Sequence, residues 1–136
     1  MHYREVSISI HFMADFSTPA DVHVRKFQKE LASGLTALVL LAVLAESAAP
    51  MYGYQIAKRL EEGAGVLRGK QSALYPVLRN LDATGLAESE IRPSHSGPPR
   101  RYYRITELGR QVLAEWRTAW VSTCRFVDEL LQETPS

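Results

Sequence analysis

Little in this chain points to catalysis, export or a membrane. It has one cysteine, Cys124, in 136 residues, so an internal disulfide and a zinc-type cysteine spacing are both excluded. A reduced, cytoplasmic setting fits that usage. The histidines are His2, His11, His23 and His95. They form no metal-ligand spacing, and Cys124 suits a small apolar filler. No nucleophile stands beside a base motif and no glycine-rich phosphate loop occurs, so no enzyme, metal or cofactor is expected. The N-terminus lacks the basic-then-apolar order of a secretory signal. The longest apolar run, Ala37–Ala45, falls well short of the ~20 residues of a membrane span.

Charge of one sign is missing too: 16 Lys and Arg face 15 Asp and Glu, a net charge of +1. The distribution is less even than the sum. Arg92, Arg100, Arg101 and Arg104 crowd into residues 92–104 with no acidic residue, while Glu61, Glu62, Glu88, Glu90, Asp128, Glu129 and Glu133 lie elsewhere. A local basic stripe suits binding to a few phosphates. A solvated hairpin with chance clustering explains the charges equally well.

What is present is one domain's worth of chain, 46% apolar, enough for a packed core and too short for two ordinary domains. In residues 1–16, Val6, Ile8, Ile10 and Phe12 alternate with Ser7, Ser9 and His11, as in a half-buried strand. With no strand to pair with, a mobile tail or a misassigned start is the preferred reading, and residues 1–18 are treated as an extension. Thr18-Pro19 and Asp21 carry a capping pattern. Ala20, Val24, Phe27 and Leu31 recur at helical spacing, so a helix is predicted over about 19–32, broken or bent near Ser33-Gly34 and packing across a partner subunit. Residues 35–46 are apolar nearly all round and read as a central helix. A helix over about 52–62 buries Gly53, Ile56, Ala57 and Leu60. It stops at Gly63-Ala64-Gly65.

The next helix, about 71–84, has two stripes. Leu74, Val77, Leu78 and Leu81 face the core. Ser72, Tyr75, Pro76 and Arg79 share the opposite side. An interior proline costs ~3 kcal/mol, so the helix is expected to start near Ser72 or to bend at Pro76. Gly85 is placed for a C-cap. Strands at Leu86–Arg92 and Arg100–Thr106 flank a tip at Pro93–Pro99. Thr106 can cap a last helix over about 107–132, a rod ~38 Å long. There Leu113, Trp116, Trp120, Cys124, Val127 and Leu131 follow near-heptad spacing. A helix this long overhangs a small domain, and the simplest partner for its seam is a second copy.

Helix, turn, short helix and arginine-bearing hairpin are the layout of a winged helix-turn-helix, mainly α with a small β-hairpin. The 72/75/76/79 face can meet base edges and phosphates. The plain alternative is a solvated face, although Tyr and Pro are odd choices for one. For Trp116 and Trp120 the spacing alone favours dimer packing, with stacking on a planar aromatic ligand as the other use.

Four blocks in order, KELASGLTALVLLAVLAE, PMYGYQIAKRLEE, SALYPVLRNLDATGL and GPPRRYYRITELG, resemble the PadR family of bacterial transcriptional regulators, in its short branch with one C-terminal dimerisation helix. They cover most of residues 26–131. The resemblance implies that Tyr52-Gly53-Tyr54 opens the second helix and holds DNA backbone, with Tyr52 and Tyr54 as contacts. It also implies that Leu74-Tyr75-Pro76 lies in the groove-reading helix, and that Arg100 and Arg101, after the wing glycine Gly97, reach phosphates or the minor groove. Two departures stand out: Ala73 replaces a Ser or Thr, and Lys70 replaces a capping residue. Alanine at 73 has no hydroxyl to offer a phosphate, so that role would pass to Lys70 or Ser72. Trp120 falls where drug-sensing members of the family stack a flat ligand between subunits. Asp128 and Glu129, about two turns on, would stand too far away to touch a small cation there.

The expectation is therefore a cytoplasmic, homodimeric repressor that binds an inverted-repeat operator in double-stranded DNA, with residues 19–106 as the DNA-binding domain and 107–136 for dimerisation. A planar aromatic effector would sit at Trp116 and Trp120. The rival is a winged-helix protein–protein module docking an acidic partner. The arginine-rich hairpin and the exposed Tyr75-Pro76 weigh against it.

Overall fold

In a computed structural model, residues 18–63 and 71–132 are described, with the side chains of Gln71 and Ser72 left aside. The strand-like pattern of residues 1–16 and the DNA contact expected of Lys70 lie outside the described residues. The element order is α1 (Pro19–Glu46), β1 (Met51–Tyr52), α2 (Gly53–Glu61), α3 (Gln71–Ala83), β2 (Ala87–Ser94), β3 (Gly97–Ile105) and α4 (Glu107–Gln132). The chain divides into two compact units between Gly34 and Leu35.

In the first unit, Thr18 and Asp21 cap α1 reciprocally. The Asp21 N–H donates to Thr18 Oγ1 at 3.0 Å, and the Thr18 N–H donates to Asp21 Oδ2 at 3.4 Å, which occupies donors a helix start leaves open. The interruption expected at Ser33-Gly34 does not occur, and one helix runs from Pro19 to Glu46. A single glycine in a long helix costs only ~1 kcal/mol relative to alanine, and a Cβ on Gly34 would meet nothing within 4 Å.

The second unit holds the core. Leu40, Leu41, Val43 and Leu44 from α1 meet Ile56 and Leu60 from α2, Leu74, Leu78 and Leu81 from α3, and Ala87, Tyr103 and Ile105 from the sheet. By length and composition α1 is apolar enough to cross a membrane. Of its apolar residues, Leu40, Leu41, Val43 and Leu44 are buried in this cluster. The core stripes expected of α2 and α3 are the ones buried, with Ala57 and Val77 packing at the edge.

α3 begins at Gln71, so Pro76 is its sixth residue and lies inside the helix. Its ring nitrogen has no proton to return to the carbonyl four residues back. The helix ends in a Schellman arrangement. The Leu86 N–H donates to Leu81 O at 2.9 Å and the Gly85 N–H to Asp82 O at 3.1 Å, with Gly85 at φ 83°. Thr106 ties this end to α4: its hydroxyl donates to Gly85 O at 2.6 Å and accepts the Gly109 N–H at 3.0 Å.

The expected hairpin is a three-stranded antiparallel sheet of order β1-β3-β2. Tyr52, predicted to begin a helix, belongs to β1 and pairs with Tyr102. The tip is shorter than expected: strand pairing continues to Ser94↔Gly97 across an irregularity at Arg92/Ser94. The Ser94 hydroxyl closes it on the carbonyls of Gly97 and Pro98. Pro98 and Pro99 are tolerated in the central strand because β1 pairs only at 102 and 103, so their missing N–H groups interrupt no ladder there.

Candidate nucleic-acid interface

Three buried leucines fix what α3 presents. Leu74, Leu78 and Leu81 are 0–6% exposed, while Tyr75, Pro76 and Arg79 all lie exposed, as residues one stripe over on a 3.6-residue period must. Tyr75 is not loose. A Cβ built on Gly53 would fall 2.5 Å from Tyr75 Cε1 and 2.7 Å from its hydroxyl oxygen. The phenol therefore rests on bare backbone at the start of α2, and any side chain at 53 would push its ring aside. The glycine of Tyr52-Gly53-Tyr54 and the tyrosine of Leu74-Tyr75-Pro76 thus form one contact.

Strand alternation separates the arginines of the hairpin. Arg100, Tyr102 and Arg104 share the outer face of β3, while Arg101 shares the inner face with buried Tyr103 and Ile105. On the outer face the Arg100 guanidinium lies 4.4 Å from the Tyr52 ring centre and that of Arg92 lies 4.7 Å from Tyr102. The Tyr52 and Tyr102 rings are 5.2 Å apart and those of Tyr52 and Tyr54 6.4 Å. Tyr54 is 54% exposed, with Lys58 Nζ 5.8 Å from its ring. Cation and ring attract through the ring quadrupole, which orders these long side chains.

The acid-free stripe of the sequence is not acid-free in space. Arg92 pairs with Glu90 at 2.7 Å and Arg104 with Glu88 at 2.5 Å. The Arg92 guanidinium, first by its hydrogen bond and then by its charge, holds the Glu90 carboxyl below its usual range. Of the four arginines, Arg100 and Arg101 lack a carboxylate partner among the described residues. Arg101 Nη1 instead donates to Ser89 Oγ at 3.0 Å, and that hydroxyl donates to Asp82 Oδ2 of α3 at 2.5 Å. Burial pushes the Tyr103 phenol up, with the charges of Arg101 and Arg79 opposing it and that of Asp82 reinforcing it. Sequence reading missed Asp82, Ser89 and Tyr102. The period-2 alternation that parts Arg100 from Arg101 was the available signal.

α4 has two halves. Leu113 and Trp116 pack against the core of their own chain, so these two seam positions are already partly used. Further on, Trp120, Val121, Phe126, Val127, Leu130 and Leu131 are 41–66% exposed, and Cys124 is half-buried. An open groove of about 440 Å³ runs along this half, bordered by Trp120, Cys124, Asp128 and Glu129 among others. Trp116 does not line it. Asp128 and Glu129, expected to stand away from Trp120, line the same groove.

The family model for PadR-like transcriptional regulators matches residues 40–115. Among solved structures, a PadR family transcriptional regulator from Eggerthella lenta DSM 2243 is 33% identical, with a TM-score of 0.74, covering 87% of this chain and 100% of that one. A PadR-like transcriptional regulator from Bacillus cereus strain ATCC 14579 is 28% identical, with a TM-score of 0.65, covering 77% and 99%. An uncharacterized protein of Lysinibacillus sphaericus is 28% identical over 82 residues, 60% of this chain and 75% of that protein. Members of this family are transcriptional regulators rather than enzymes. With more than half its length matched and a winged-helix body carrying an exposed α3 face, the chain belongs to the PadR-like family of DNA-binding transcriptional regulators.

Proposed function

We propose that the protein is a homodimeric, sequence-specific repressor gripping an inverted-repeat operator. Each copy lays Tyr75, Pro76 and Arg79 of α3 in a major groove, with Ser72 and Lys70 at the helix start, and sets its hairpin arginines and Tyr54 against the flanking DNA. The observation that carries this reading is the pinning of α3: leucines anchor one side in the core and Gly53 seats Tyr75 on the other. A face held this way can demand a particular hydrogen-bond pattern from the bases.

Dimerisation is supported by apolar surface that stays exposed among the described residues. Val22, Val24 and Phe27 on α1 are 52–61% exposed, as is the far half of α4 at comparable levels. Apolar exposure of several large side chains on one element marks an interaction surface. In this reading residues 19–106 bind DNA and 107–136 dimerise. A planar aromatic effector would stack on Trp120, with Asp128 and Glu129 in reach of a cationic edge.

The test is selection of bound duplexes from a random library by the unmodified protein. An inverted repeat is expected. Tyr75→Ala should then lose ~1–3 kcal/mol of discrimination between that duplex and a scrambled one, and lose less affinity for scrambled DNA. An equal fall for both duplexes would reduce Tyr75 to a backbone contact and overturn groove reading by this residue.

A further inference from the structure

We infer that the two adjacent hairpin arginines divide the work: Arg101, tethered through Ser89 to Asp82 of α3, is a specificity-determining contact, whereas Arg100, stacked on Tyr52, is a backbone contact. The inference rests on the reading of α3 and the hairpin as a DNA-binding surface.

The side chains leave β3 on opposite faces, so they cannot reach the same part of a bound duplex in the same way. On the inner face, Arg101 Nη1 donates to Ser89 Oγ at 3.0 Å and Ser89 donates to Asp82 Oδ2 at 2.5 Å. The serine hydroxyl is an adapter. It accepts from the guanidinium with a lone pair and donates its only proton to the carboxylate, so hairpin and helix are joined by two directional bonds. That places the guanidinium on the side of the hairpin that carries α3, where the charges of Arg79 and Asp82 act on the neighbouring Tyr103. The tether uses one of five guanidinium donors, and the side chain remains exposed. A planar fork fixed before binding loses less rotamer freedom when it bonds a base edge.

Arg100 is held differently. Its partner is the Tyr52 ring face at 4.4 Å, an attraction with little directional demand. The flanking Arg92 and Arg104 are neutralised by Glu90 and Glu88. Among the described residues, Arg100 is then the arginine of the outer face without a carboxylate partner, a positive charge that suits a phosphate and carries no sequence information.

Ser89 and Asp82 are then positioning residues, and five variants test the division of work on the duplex the unmodified protein selects and on a scrambled duplex of equal length. Ser89→Ala should lower discrimination between the two about tenfold, within the range for a single base contact, with the salt dependence unchanged. Arg101→Ala should do the same, and adding Ser89→Ala to it should cost nothing more. Ser89→Thr, which keeps the hydroxyl, should restore the parent's behaviour; a merely structural role would not show that rescue together with that non-additivity. Arg100→Ala should weaken both duplexes alike and lower the log–log salt slope by about 0.9. Matching effects of Arg100→Ala and Arg101→Ala, or full discrimination in Ser89→Ala, would overturn the division of work while leaving DNA recognition in place. A parent protein that never discriminates between duplexes would overturn the underlying reading and the division with it.

Discussion

The winged-helix body and the far half of α4 are built from similar residues and end in opposite conditions. In the body, Leu40, Leu41, Ile56, Leu78 and Leu81 are 0–2% exposed. Along α4, Val127, Leu130 and Leu131 are 42–66% exposed. The difference is geometric. Body leucines come from elements whose turns fold them onto one another, whereas a 26-residue helix outruns the domain that anchors it through Leu113 and Trp116. The lesson is that an apolar stripe announces burial without saying in which molecule.

The largest break in that comparison should come from the body. Leu78→Ala should destabilise the fold by ~2–5 kcal/mol, the transfer term plus the cavity left behind; in chemical denaturation the midpoint should fall with little change in slope. A loss under about 1 kcal/mol would mean that this core is not close-packed. On α4 the same stripe should respond through assembly instead. Val127→Glu should convert a species of twice the 15.3 kDa chain mass to a single-chain mass in light scattering, while far-UV circular dichroism keeps its helical signal. The exposed site tolerates a carboxylate in one chain, and two copies facing each other do not. A dimer that persists in this variant would move the interface elsewhere. The smallest effect belongs to the groove. A planar aromatic dye should quench tryptophan fluorescence in the parent and weaken its DNA binding by a coupling of ~1–3 kcal/mol, with both effects lost in Trp120→Ala and dimer mass retained. Equal dye affinity in both proteins would leave Trp120 as packing.

The site was legible in parts. The opposition of Leu74/Leu78/Leu81 to Tyr75/Pro76/Arg79 follows from the helical repeat, so spacing sufficed. The hairpin was read by composition rather than by alternation. Arg92, Arg100, Arg101 and Arg104 looked like one stripe, yet the strand sends Arg101 to the other face, and partners on β2 neutralise two of the rest. Those partners are 2 and 16 residues away, and no single spacing rule flags both. The uninterrupted α1 shows the converse: Ser33-Gly34 looked like a break, but helix propensity is a weak local preference, and good helix formers on both sides outweigh it.

Sequence by itself determined the core stripes of α2 and α3, the hairpin between α3 and α4, the caps at Thr18, Gly85 and Thr106, and the family, because each depends on short-range periodicity or on local backbone chemistry. Tertiary structure alone decided that Gly53 seats Tyr75, that Asp82 reaches Arg101 through Ser89, that Arg100 lies on Tyr52, and that Trp116 turns to its own core while Trp120 does not. Each of these joins residues from different elements or different turns of a long helix. Such meetings are set by how strands alternate and how helices pack, which no local pattern encodes.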